Sequence, residues 1–455
     1  MSNFVPPFPP RLAKAPSTFK RLALARRNFL SIWEEAAFEF DYSFSQLITR
    51  KVFLCNSPEA VQFAFSLKHA SFERKAPQMR YALQPLIGDG HFISDGEIWR
   101  QRRRMVAPII HISQMSRFAP IMVEAAIEVR DRWSKRDGEM IDVLNESAML
   151  TAEVICRTVF GRKLGQDYAR DIVEGFSEYQ QVVNRMDLIS LIGLPDWFPR
   201  WNRPAMRRAV NRIHRVLDNV IAAYRAKKGN DTSMIGRLLE ARDEQTGEML
   251  SDEALRNEIA VLFLAGQETS ANSLAWTWYL LSQAPEVETR LQKELSDVLG
   301  GRPPTFADVP NLVYTRAVLE EALRLYPPIP ILPREAVQEE HFKGEHIPKG
   351  SLVLVVPWLL HRHKKLWDKP DHFIPERFLP ENAKSISKFG YIPFSIGPRI
   401  CSGFSFGLTE SVLFLATLAQ HFRLRMRPGD TVLPTCKLTL RPEGGIPMRV
   451  ERLAS

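Results

Sequence analysis

The sequence predicts a mainly α-helical protein with small peripheral β-sheets, and three observations carry that expectation. Apolar residues recur at helical spacing through most of the chain between Trp99 and Tyr326. Strand-like runs gather near the ends: "KVFLC" at 51–55, "SLVLVVP" at 351–357, then "CKLTLRP" and "PMRVERL" close to the C-terminus. The regular strand–helix alternation of a dinucleotide-binding fold is missing, as are GxGxxG and any phosphate-cradling loop.

In chain order, residues 1–20 begin "MSNFVPPFPPRLAKAPS", with no charged segment followed by an apolar run, so no signal peptide is expected. The prolines predict an extended, polyproline-like arm lying on the body. Helices are expected over Arg103–Phe118 (with a break at Pro108), Met122–Lys135, Leu150–Phe160, Ala169–Met186 and Ala205–Lys227, with "GLPDWFPRWNRP" as a connection. Ser251 is the expected N-cap of a long helix from Asp252 to Ser282. Pro285–Leu299 and Tyr314–Tyr326 follow. The stretch Ile259–Leu281 is long enough to cross a bilayer. Gln267, Glu268 and Asn272 interrupt it, however, and no basic flanks orient it. It reads as a buried central helix, with no membrane anchor expected.

The 455 residues carry no glycine/serine tract, repeat or long single-sign block, so one domain over 1–455 is expected despite the length. A net charge of +9, from 61 basic against 52 acidic residues, is too modest to argue for nucleic acid. Four scattered cysteines indicate free thiols in a reducing compartment, hence a cytoplasmic protein.

The most informative stretch is "FSIGPRICSG", residues 394–403. Gly397 and Pro398 disfavour a helix, whereas the residues from Phe404 onward favour one, which places Cys401 where a loop feeds a helix N-terminus. That position is expected to lower the thiol pKa. Gly397 and Gly403 permit tight turns and the close approach of a flat ligand. Arg399 can pair with a carboxylate of that ligand, and Phe394 supplies an apolar lid. One thiolate suits neither zinc nor an iron–sulfur cluster, which need more ligands, but it suits a single axial bond to haem iron. The pattern F-x-x-G-x-R-x-C-x-G, filled by Phe394, Gly397, Arg399, Cys401 and Gly403, resembles the cysteine loop of the cytochrome P450 superfamily. Gly407 departs from the family's usual alanine, a change expected to leave ligation untouched.

Three further stretches stand in that family's order. In "EEALRLYPP", Glu321 and Arg324 are helix neighbours in apolar surroundings. The resemblance implies that they form a buried network with Arg377 of "PERF" beneath the cysteine loop. In "AGQETS", Gly266 weakens a helix interior and Thr269 can return its hydroxyl to a carbonyl one turn back. The resemblance implies that Ala265 and Gly266 leave room for the macrocycle, while Glu268 and Thr269 relay protons to bound dioxygen. In "WRQRRRMVAP", Trp99 and Arg103 share a helix face. The resemblance implies that both meet a haem propionate, as does Arg334 of "PREA". Arg100, Arg102 and Arg104 read equally as a solvated helix face or as a patch for an acidic electron donor. His361 and His363 lack the further ligands of a metal site, and "WTWYLL" reads as core.

The resemblance implies a P450 fold with haem b between the central helix and the helix after Cys401. The implied activity is insertion of one atom of dioxygen into a lipophilic substrate. Electrons would come from a separate acidic ferredoxin or flavodoxin-type donor with its reductase, because about fifty residues after the cysteine loop leave no room for a fused one. The enzyme is expected to be a monomer. A peroxide-driven peroxygenase on the same fold and a non-catalytic haem sensor are the alternatives, and the Glu268–Thr269 pair speaks against both. Leu264, Ala265, Ile329, Ile331 and Leu332, with the loop "QMRYALQPLIGDGHF", are candidates to line an apolar pocket. Arg80 in that loop reads either as a substrate-carboxylate contact or as a solvated charge.

Overall fold

The computed structural model describes residues 4–47, 49–161, 175–176, 178–179, 203–226 and 233–453. The principal helices are α1 (Thr18–Arg27), α2 (Pro77–Ile87), α3 (Gly96–Val106), α4 (Met115–Trp133), α5 (Val143–Phe160), α6 (Arg203–Ala226), α7 (Asp252–Gln283), α8 (Pro285–Leu299), α9 (Val313–Leu325) and α10 (Phe404–Ala419). A five-stranded sheet lies beside them. Its strands are β1 (Tyr42–Leu47), β2 (Arg50–Cys55), β3 (Arg74–Lys75), β4 (Leu332–Glu335) and β5 (Leu352–Val355), in the order β1-β2-β5-β4-β3. Only β2 and β5 run parallel. Smaller sheets include a hairpin of Pro434–Cys436 with Leu440–Pro442. The mainly α expectation with small sheets therefore holds.

Helix α7 forms the axis of the structure. The Ser251 side chain accepts from the Ala254 N–H at 3.2 Å, the expected cap. Beyond it, α7 is buried over most of its length and packs against α5, α6, α9 and α10. Trp276 lies stacked on Tyr326 with ring centroids 3.8 Å apart, so the "WTWYLL" stripe is core, as read. Among the described residues, no helix is long and apolar enough to cross a membrane.

Among the helix boundaries that differ from the sequence reading, two have identifiable reasons. The basic segment expected over Arg103–Phe118 is divided: α3 ends at Val106, and Pro108, which has no N–H to donate, sits in a 3-10 turn. Helix α5 begins at Val143, before the expected Leu150, because its first turn carries Asn145, Glu146 and Ser147 and reads as loop. Asp142 caps it by accepting from the Leu144 N–H. Glu146 is buried and accepts from Trp133 Nε1 at 3.1 Å, Arg132 at 2.9 Å and Arg136 at 3.0 Å. All of the "GLPDWFPRWNRP" connection but Arg203 and Pro204, which open α6, and most of the helix expected over Ala169–Met186 lie outside the described residues.

The N-terminal arm lies on the body, as the prolines suggested. The Phe4 carbonyl accepts from the Phe373 N–H at 3.0 Å and that of Pro7 from the Tyr326 hydroxyl at 2.9 Å. The Arg11 guanidinium covers the Phe38 ring at 3.8 Å and pairs with Asp371 at 2.5 Å.

Candidate cofactor site

The cysteine loop is closed by its own backbone. The Cys401 N–H donates to the Phe394 carbonyl at 2.9 Å, across a turn in which Ser395 and Gly397 have φ of 62° and 75°. Gly397 is required twice over. Its φ disfavours any side chain, and a Cβ there would stand 1.9 Å from the Phe65 carbonyl oxygen. Gly403 has an ordinary φ of −87°, and its Cβ would meet only the Cys401 sulfur at 3.9 Å. Its expected role in a tight turn is therefore not needed. A Cβ at Gly407 would meet Ser270 Oγ at an ordinary 3.9 Å, so the departure from alanine is neutral here. Phe394 packs edge-on against Phe404, centroids 4.8 Å apart.

Cys401 keeps accessible area yet lies among protein on a wider scale, as a side chain lining an internal cleft does. Burial raises its thiol pKa, against the opposing pull of the Gly403 N–H and the cations of Arg103 and Lys75. The expected lowering is thus corrected: desolvation outweighs the loop's helpers while the sulfur is a thiol. A bound metal ion would deprotonate it outright.

Around the loop stand the cations read from the sequence. Arg399 donates to the carbonyls of Glu73 (3.2 Å), Phe92 (3.2 Å) and Ser94 (2.8 Å), and its guanidinium covers the Trp99 ring at 4.7 Å. Arg103, one helical turn past the buried Trp99, donates to the Ser402 hydroxyl. Arg334 is 3% exposed, lies 3.4 Å from the Glu73 carbonyl and has its guanidinium over the Phe65 ring at 5.1 Å. Among the described residues, none of the three has a carboxylate within ion-pair distance. Burial, then the neighbouring Arg399, pushes the Arg334 pKa down to about 9. Arg399 falls to about 10, chiefly through burial. Buried cations without anions are costly unless a ligand supplies the negative charge.

The facing wall is the middle of α7. Residues 264–269 keep accessible area, whereas 259–263 and 270–281 are buried. Thr269 Oγ1 donates to the Ala265 carbonyl at 2.6 Å, the back-bond expected one turn away. Glu268 Oε1 accepts from the Thr439 hydroxyl at 2.5 Å and lies 3.5 Å from Arg441, so the strand hairpin fixes this carboxylate. Gly266 also has a packing role. A Cβ on it would stand 2.8 Å from Ile155 Cδ1, so its small size serves the packing of α5 on α7. Ala265 is the exposed residue of this wall.

A model of the family described as "Cytochrome P450" matches residues 22–448. The chain belongs to the cytochrome P450 family. The P450 is 34% identical over 402 residues to cyclooctatin synthase of Streptomyces melanosporofaciens, covering 86% of this chain and 84% of that one. It is 30% identical over 344 residues to pentalenene oxygenase of Streptomyces avermitilis, covering 75% of each. The solved heme domain of cytochrome P450DA superposes with a TM-score of 0.82 at 25% identity, covering 99% of this chain and 97% of that one. Membership implies a haem cofactor, and the residues fit one: a thiol at a loop-to-helix junction, a cluster of cations with no carboxylate within ion-pair distance among the described residues, and an opening in α7 that includes Ala265.

The Glu321–Arg324–Arg377 network is assembled as expected. Arg324 donates from Nε and Nη2 to the two oxygens of Glu321, each at 2.7 Å, and both residues are fully buried. Arg377 Nε lies 3.4 Å from Glu321. The P450's remaining arginines, read equally as a solvated face or a donor patch, have partners within the chain. Arg102 is 12% exposed and bonds Asp89 at 3.0 Å. Arg104 is bidentate to Asp243 at 2.8 and 3.0 Å, and Arg100 approaches Glu73 at 3.6 Å. These charges hold the loops around α3 together. Arg80 lies 3.6 Å from Asp95.

Sequence reasoning missed one chain of contacts beside the P450's cysteine. His91 Nδ1 lies 2.5 Å from Glu258 Oε2 of α7, and its Nε2 lies 3.2 Å from the hydroxyl of Ser402, the residue after Cys401. The glycines of "GDGH" gave the available signal, because Gly88 and Gly90 press directly on Asn257 and Val261 of α7.

Proposed function

We propose that this P450 is a haem-thiolate monooxygenase of lipophilic terpenoids, with haem b as cofactor and Cys401 as its axial ligand. The observation that carries the reading is the open segment 264–269 between the buried stretches 259–263 and 270–281 of α7, taken together with a cysteine loop beside Arg103, Arg334 and Arg399, which have no carboxylate within ion-pair distance among the described residues. The bound haem would supply activation of dioxygen, with one oxygen atom inserted into substrate and the other released as water. This chain's own residues do the rest. Trp99, Arg103, Arg334 and Arg399 receive the propionates. Thr269, its proton donated to the Ala265 carbonyl, presents lone pairs that hold water, and Glu268 beside it moves protons inward. That acid–alcohol pair favours a monooxygenase over a peroxide-driven enzyme or a sensor. Electrons come from a separate ferredoxin or flavodoxin-type protein.

Leu264, Ile329 and Ile331 are half-buried apolar residues suited to an apolar substrate, and the named relatives include terpene-modifying monooxygenases. The test is a spectral titration of the purified haem protein. Cyclic sesquiterpenes and diterpenes should displace the iron-bound water and shift the haem absorption band at micromolar concentration, and fatty acids of equal carbon number should do so more weakly. Tighter binding of the fatty acids would overturn the terpenoid assignment.

Thr269→Ala is expected to uncouple the enzyme. Reductant consumption should continue while peroxide replaces most of the product, measured as product formed per reductant consumed. Wild-type coupling in this variant would remove Thr269 from the proton path.

A further inference from the structure

We infer that His91 is a positioning residue for the iron ligand: held by Glu258, its ring takes the hydroxyl proton of Ser402 and so keeps that donor off the Cys401 sulfur. The inference rests on the haem-thiolate reading above. The direction of every bond follows from Glu258, which is fully buried on α7. Its Oε1 accepts the His91 backbone N–H at 2.9 Å, and its Oε2 lies 2.5 Å from the ring Nδ1. A carboxylate only accepts, so Nδ1 carries the ring proton and Nε2 keeps a lone pair. Nε2 lies 3.2 Å from Ser402 Oγ. Arg103, which can only donate, fills a lone pair of the same oxygen from Nη1 and keeps its other N–H groups for a ligand. The single hydroxyl proton of Ser402 therefore points to His91.

Ser402 directly follows the ligand, and the Cys401 sulfur already takes the Gly403 N–H. Each hydrogen bond to an iron-bound thiolate draws negative charge from it and raises the reduction potential of the iron. Without the imidazole, the Ser402 proton loses its acceptor while Arg103 still occupies the oxygen. The hydroxyl then becomes a second donor to the sulfur beside it. Apolar residues would fill the places of His91 and Glu258 at less cost than a buried polar pair. Glu258 also shares α7 with the open wall 264–269, so one ring ties that wall to the ligand loop.

Holoenzymes of His91→Leu, His91→Asn, Ser402→Ala and His91→Leu/Ser402→Ala test this by midpoint potential and by the iron–sulfur stretching frequency in resonance Raman spectra. One hydrogen bond is worth roughly two- to tenfold in an equilibrium. His91→Leu should therefore raise the ferrous-to-ferric ratio at a fixed applied potential by about that factor, and lower the stretching frequency. His91→Asn, whose amide can still donate to Glu258 but falls short of Ser402, should shift both in the same way. Ser402→Ala should stay near wild type, and adding it to His91→Leu should return both readings to wild type. Should His91→Leu not fold, His91→Asn with and without Ser402→Ala makes the same comparison. Unshifted readings in the His91 variants would overturn the inference, as would shifts that persist once Ser402 is alanine. A wild-type ferrous carbon monoxide complex without thiolate-type absorption would instead defeat the haem-thiolate reading itself.

Discussion

Cys401→Ser should purify with the same fold but without the red-shifted absorption of a thiolate-bound ferrous carbon monoxide complex. The loop itself does not depend on sulfur. It is closed by the Cys401 N–H on the Phe394 carbonyl and by the positive φ of Gly397, neither of which involves the side chain. What changes is the donor. A serine hydroxyl is harder and far less acidic than a thiol, so it offers no soft anionic ligand to iron. The cations of Arg103 and Lys75 and the Gly403 N–H, which favour the cysteine anion, cannot bring an alcohol to ionise at neutral pH. Product formation should fall by more than the roughly 10–100-fold loss typical of a metal ligand's supporting partner. Circular dichroism separates this from misfolding. An intact thiolate-type spectrum in the variant would move the ligand to another residue.

What was legible in the sequence was local. The cysteine loop, the Ser251 cap and the Glu321–Arg324 pair all lie within one turn or one tight loop, where spacing alone fixes which side chains meet. The bounds of α8, opening on a proline and followed by the αL residue Gly300, were read without error for the same reason.

What was not legible depends on partners far along the chain. Arg104 looked like free charge because Asp243 lies 139 residues away. His91 looked like an ordinary loop residue because Glu258 lies 167 residues away. Gly266 carried a second kind of ambiguity. A glycine in a helix reports that something comes close, but only the packed structure says that it is Ile155 of α5. The thiol pKa failed differently: the sign was decided by burial, which a loop motif does not display.

Arg324→Ala should be the most destabilising of the substitutions considered, because Arg324 uses all five of its N–H donors. Nε and one Nη2 hydrogen serve Glu321, while the others serve the carbonyls of His361 (2.7 Å), Pro370 (2.6 Å) and His372 (2.9 Å). Removing it strands a fully buried carboxylate, left with the Ile374 N–H at 2.8 Å and Arg377 at 3.4 Å. Breaking one partner of such a pair costs about 3–5 kcal/mol, a large part of the roughly 5–15 kcal/mol that holds a domain folded. The damage should reach the cysteine, because His361 links the two regions. Its carbonyl accepts from Arg324, while its Nε2 accepts the Ile392 N–H at 2.9 Å, just ahead of the Phe394–Cys401 closure. Burial, reinforced by Arg324 and Arg362, keeps that imidazole neutral and able to accept. Arg324→Lys should recover only part of the loss, since three rotatable donors cannot reproduce a planar fork. Thermal melts and haem content of the two variants, compared with Glu321→Gln, measure this directly. If Arg324→Ala melts with the wild type and retains full haem, the network does not support the loop.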